Sequence, residues 1–156
     1  MSRRLKPPQA SLLASADDVE AQFYEALQQG DLARLMAVWG DDDEIVCVHP
    51  GGARVVGGAA IRASFEAIFA NGGVPAVPDQ VRRLQGLGVA VHHLVERVRL
   101  RPGQGAKGVK SVEEAFVLAT NVYVNTAAGW RLVAHHASPG RAEPPPAVQE
   151  WPSTLH

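Results

Sequence analysis

Only one cysteine, 6% aromatic residues and no sustained apolar run occur in this chain of 156 residues. A single thiol excludes a disulfide framework and suits a reducing compartment. That thiol, Cys47, lies inside Ile45-Val46-Cys47-Val48, where it reads as a small buried strand residue and not as a nucleophile. No stretch reaches the ~20 apolar residues of a membrane helix. Ser2-Arg3-Arg4 is basic, but Leu12-Leu13-Ala14 is too short for a signal-peptide core. An excess of one charge is also missing: 15 basic residues face 16 acidic ones, for a net charge of −1. That balance attracts neither nucleic acid nor an anionic membrane. A cytoplasmic protein is expected.

What is present fits one globular domain. Hydrophobic residues make up 46% of the chain and charged residues 20%, enough apolar material for a sizeable core. Residues 1–14 carry Pro7-Pro8 without periodicity and read as a loose arm, and residues 140–156, with Pro144-Pro145-Pro146, read as a proline-rich tail. The domain between them spans 15–139.

Ser15-Ala16-Asp17-Asp18 has the spacing of a helix cap, and Val19, Phe23, Ala26 and Leu27 fall on one helical face before Gly30. Tyr24 lies one step off that face. Asp31 caps a second helix with the stripe Leu32, Leu35, Met36 and Trp39. A strand is expected over Glu44–His49 and an extended piece over Arg54–Val56. A third helix opens at Gly57-Gly58, carries Ile61, Phe65, Ile68 and Phe69 inward, and stops at Asn71-Gly72-Gly73. The period then falls to two, giving strands over Asp79–Leu87, Val89–Leu100, Val112–Asn125 and Trp130–Ser138, with a glycine-rich loop over Arg101–Lys110. Helices followed by an antiparallel meander make an α+β fold. Such a sheet closes around a small ligand on its concave side and hides its convex side most cheaply against a second copy, so a homodimer is expected.

Two stretches carry a family resemblance. Asp42-Asp43-Glu44-Ile45-Val46-Cys47-Val48-His49-Pro50-Gly51-Gly52, followed by Gly57-Gly58-Ala59-Ala60-Ile61, resembles the first strand and third-helix start of SnoaL-like proteins. Thr120-Asn121-Val122-Tyr123, followed by Gly129-Trp130-Arg131-Leu132-Val133-Ala134-His135-His136-Ala137-Ser138, resembles their closing hairpin. The resemblance implies the cone-shaped NTF2-like (cystatin-like) fold, three helices packed on a curved, mostly antiparallel sheet. The ketosteroid-isomerase-like branch of that superfamily supplies a test. Where those enzymes carry a tyrosine, an aspartate before proline and a second acid, this chain places Phe23, His49 before Pro50, and Asn121. The phenol and the protonated acid are thus read as missing.

The changed trio keeps a chemical logic. His49 titrates near neutrality and acts as a base, while Asn121 donates to a developing oxyanion. The adjacent pairs His92-His93 and His135-His136 sit on strands, where neighbours point to opposite faces, so neither pair chelates one metal alone. Strict alternation groups Val133, His135 and Ala137 on one face and Trp130, Leu132, Ala134 and His136 on the other. The resemblance favours His135 toward the cavity, with His136 as the alternative. His92 and His93 read as structural, Trp130 as an interface residue. No carboxylate stands at a supporting spacing, and Asp41-Asp42-Asp43-Glu44 lacks the glycine and second ligand set of a calcium loop, so no metal and no cofactor are expected. Phe23, Trp39, Val117 and Ala119 are the expected pocket walls, with His136 a further ligand contact. Two functions remain open: a cofactor-independent isomerase, cyclase or dehydratase acting on a small apolar or carbonyl-containing molecule, or a non-catalytic ligand-binding or dimerisation module.

Overall fold

The computed structural model describes residues 13–100 and 113–141; the expected loop at Arg101–Lys110 and most of the proline-rich tail lie outside them. Helix α1 spans Ala16–Gln29, capped by the Ser15 hydroxyl, which accepts from the Asp18 N–H. It ends at Gly30, whose φ of 66° is the left-handed conformation that favours glycine. Helix α2 is shorter than its stripe predicts, covering Leu32–Met36 with Asp31 as N-cap. Trp39 lies beyond it in a parallel bridge to Leu132, because the chain is already being drawn into the sheet there. Helix α3 spans Gly58–Phe69. The α1–α2 turn meets the segment after α3 backbone to backbone: the Val74 N–H donates to the Leu27 carbonyl, and Gly73 lies against Gln28 and Gly30.

The strands are β1 (Val46–Val48), β2 (Arg54–Val56), β3 (Ala76–Gln85), β4 (Val89–Arg99), β5 (Glu114–Thr126) and β6 (Gly129–Pro139), in the order β2-β1-β6-β5-β4-β3. All neighbours run antiparallel except β1 and β6. The fold is therefore the expected one, three helices on a mostly antiparallel six-stranded sheet, with β1 shorter and β3 starting earlier than the pattern suggests. Leu13, read as part of the loose arm, is buried, and its carbonyl accepts from the Trp130 N–H.

Two bulges bend the sheet. In β3, Gln80 takes a φ of 51°, and the register slips between Asp79 and Arg82. In β6, Tyr123 faces Leu132 while Val122 faces Ala134, leaving Val133 as an extra residue. This second bulge corrects the strict alternation read from the sequence. Trp130 and Leu132 point inward together with His135 and Ala137, and all four are buried. Trp130 is thus a core residue of this chain.

The core joins Val19, Phe23, Leu27, Leu35, Ile61 and Phe65 of the helices to the inward rows of β4, β5 and β6. Among the described residues the outer sheet face has no such cover: Val77, Leu84, Val89 and Leu118 are between 39% and 73% exposed.

Candidate functional site

Strand register builds one polar row across the concave face. His92 of β4 pairs with Asn121 of β5, Asn121 with His135 of β6, and His135 with Cys47 of β1. Helix α1 lies over this row and lowers Tyr24 onto it. The Asn121 side-chain amide donates to the Tyr24 hydroxyl at 3.1 Å, and that hydroxyl donates to Glu96 Oε2 at 2.8 Å. Because the amide N–H is turned toward Tyr24, the Asn121 side-chain oxygen faces His135 Nδ1 at 2.5 Å and accepts its proton. A single direction of donation runs from His135 through Asn121 and Tyr24 to Glu96. The other His135 nitrogen, Nε2, carries a lone pair and lies 4.0 Å from Glu96 Oε2.

All four side chains are buried. Burial, reinforced by the neighbouring His49 and His136, pushes His135 down to about 3, so it is neutral at physiological pH. Burial raises Glu96 above the usual carboxylate range, with the Tyr24 hydrogen bond acting the other way. Tyr24 is raised as well, first by burial and then by the Glu96 charge. The interior thus favours uncharged forms throughout.

His49 approaches from the end of β1. Ser64 spends its own proton on the Ile61 carbonyl at 2.7 Å, so its oxygen accepts from His49 Nε2 at 3.0 Å. That fixes the tautomer and leaves Nδ1 as the basic nitrogen. Burial holds His49 below its usual 6.5. Its ring packs edge-on against Phe65 at 4.9 Å, Phe65 against Phe23 at 6.2 Å, and Phe23 against His135 at 5.1 Å. His49 is thus linked to the Asn121–His135 row through the rings of Phe65 and Phe23.

The other expected residues divide. Phe23, Val117 and Ala119 face that interior and are buried. Trp39 is buried in the core beside Leu132. His136 is exposed on the opposite sheet face, which settles the choice between the two histidines by orientation. Burial first, and then the Glu96 charge, push the Cys47 thiol up to about 12, so it is an inert strand residue. Sequence reasoning missed two members. Tyr24 was set aside as off the buried stripe, yet α1 buries eight of its residues, Glu20 and Tyr24 among them. Tyr24, one residue past Phe23, thus brings a phenol to the row, and Glu96 supplies a carboxyl group beside it. The only trace of Glu96 in the sequence was its alternation with His92 and Leu94.

The SnoaL-like domain profile matches residues 17–142. A protein of Thiobacillus denitrificans, provisionally named a calcium/calmodulin-dependent protein kinase type II association domain, is 32% identical, with a TM-score of 0.71 over 83% of this chain and 98% of that one. An NTF2-like protein of Streptomyces avermitilis, provisionally named a dehydratase, is 26% identical, with a TM-score of 0.69 over 87% of this chain and 100% of that one. A Nostoc punctiforme protein of unknown function with a cystatin-like fold shares 14% identity at a TM-score of 0.64, covering 84% of this chain and 97% of that one. No curated protein matches. With a profile match over most of its length and relatives of this shape, the chain belongs to the SnoaL-like branch of the NTF2-like superfamily.

Proposed function

We propose that this SnoaL-like protein is an isomerase- or dehydratase-type enzyme that moves a proton on a small carbonyl-containing substrate with its own side chains. The observation that carries the reading is the buried Tyr24–Glu96 hydrogen bond of 2.8 Å, with the tautomer-fixed His49 on the far side of the Phe23–Phe65 pair. His49 Nδ1 takes a proton from the carbon next to the carbonyl. The C–H electron pair becomes a C=C bond, and the carbonyl π pair moves onto oxygen. Glu96, held toward its protonated form by burial, is the donor for that oxygen, and Tyr24, whose hydroxyl proton goes to Glu96 Oε2, holds the carboxyl group in place. Asn121 has its amide N–H committed to Tyr24, so it orients the phenol. Returning the proton to another carbon gives isomerisation; expelling a hydroxyl gives dehydration.

The test is a thermal-shift screen of carbonyl metabolites, followed by kinetics on any ligand found. His49→Gln is expected to lower turnover by about 10²–10⁴-fold with folding intact. The rate should be full at neutral pH and fall on acidification below the ordinary histidine range, since burial lowers His49. Turnover by His49→Gln equal to the parent's makes His49 structural and leaves the binding-module reading in its place. The 32% identity to a protein named for a kinase association domain favours that second reading. The exposed apolar outer face supports a homodimer in either case.

A further inference from the structure

Helix α1 carries Asp17 and Glu20 three residues apart, and β4 brings His92 beneath them. One ligand atom from each of the three lies within 4.8 Å of the others, and His92 Nδ1 stands 3.1 Å from Glu20 Oε2. Glu20 and His92 are 5% and 1% exposed, whereas the Asp17 side chain reaches solvent. A carboxylate–histidine pair alone would only pin a helix to a strand. Two further atoms argue for more. Among the described residues, Glu20 Oε1 is buried without a hydrogen-bond partner, and so is the hydroxyl of Tyr123, whose ring packs edge-on against His92 at 4.8 Å. A buried, unpartnered oxygen is costly and calls for an explanation. Arg83 does not supply it. Its Nε meets the outer carboxylate, Asp17 Oδ1, at 2.8 Å and leaves the inner Glu20 oxygen unmet.

We propose that Asp17, Glu20 and His92 form a binding site for one divalent cation of the zinc type. One imidazole nitrogen and two carboxylates suit zinc or its first-row neighbours better than magnesium or calcium, which prefer all-oxygen shells. Tetrahedral ligands at about 2.0–2.2 Å stand a little over 3 Å apart, and the His92–Glu20 spacing already matches this. The cation takes the place of the proton now shared between Nδ1 and Oε2, so binding releases a proton. The Asp17 side chain is solvent-exposed, so water can complete the fourth position. These ligands come from a helix and a strand, 72 residues apart in the case of Glu20 and His92. That distance hid the supporting carboxylates from a reading of sequence spacing.

The test is calorimetric titration of the full, chelator-treated chain with zinc chloride, together with the visible absorption of its cobalt(II) complex. One zinc per chain is expected. Asp17→Ala, at an exposed position where folding is not at stake, should weaken binding about tenfold or more and bleach the cobalt bands. Glu20→Gln and His92→Gln should abolish binding, with circular dichroism verifying their folds. Absence of zinc binding by the parent overturns the proposal. So does binding by Asp17→Ala within about threefold of the parent, since the metal would then sit elsewhere.

Discussion

Acidification offers a direct measure of how strongly the interior rejects charge. His135 is depressed from 6.5 to about 3 in the fold, mainly by burial. The unfolded chain therefore binds a proton at His135 where the folded chain does not. Stability from this group is present above the unfolded value and lost as pH falls toward the folded one. Each unit of difference corresponds to about 1.4 kcal/mol. Between pH 7.5 and 5 the expected loss from this residue is about 2 kcal/mol, and the full loss by pH 3 is about 5 kcal/mol. His49, also lowered by burial, adds to the same trend, while Glu20 and Glu96, both raised first by burial, lose stability in the opposite direction, as pH rises. The group must accordingly be isolated by difference. His135→Gln keeps an N–H for the Asn121 oxygen but removes the titration. Urea unfolding of parent and variant across pH 5–7.5 should show the parent's advantage shrinking by about 2 kcal/mol. Curves that stay parallel within about 0.5 kcal/mol would refute a neutral, buried His135.

Three other outcomes are expected. Tyr24→Phe strands the Asn121 amide and a Glu96 oxygen without water, so urea unfolding should show a loss of about 2–4 kcal/mol; a loss below about 1 kcal/mol would mean that the chain of donation is not formed. Gly73→Ala drives a methyl group into the Gln28 carbonyl and should cost about 2–3 kcal/mol, read as a drop in melting temperature, whereas Gly88→Ala, with open space around it, should cost far less. Leu118→Glu places a charge on the exposed outer face, and light scattering should change from dimer to monomer; a parent that is already monomeric at micromolar concentration removes the homodimer proposal.

The architecture was legible because its signals are local. Ser15 and Gly30 punctuate α1, Asp31 caps α2, and the change of period after Gly73 marks where helices give way to strands. The inward placement of Phe23 followed from the helical period, and that of Asn121 from the family resemblance. The site was only half legible. Tyr24 escaped because a helix pressed between a sheet and a second helix buries a wider arc than a single stripe. Glu96 escaped because a strand carboxylate reads as solvated until a phenol and a histidine are found over it. His135 was separated from His136 by orientation alone, and Trp39 and Trp130 were misplaced because a bridge and a bulge leave no mark in a pattern of period two.

The extra residue at Val133 reaches beyond this strand. Trp130 and His135 are five positions apart, an odd number, yet both face inward. The strand is in effect read in two frames, an oily one at its start and a protic one at its end, joined by a one-residue shift. A relative with the same His-His pair but an even count back to its tryptophan can seat the first histidine inward without any bulge. One with the same odd count that pairs regularly would turn the second histidine in and leave the first in water. Across such proteins, the parity of that short interval is the quantity to compare before a histidine is assigned to the interior, because identical letters in this hairpin do not guarantee identical chemistry.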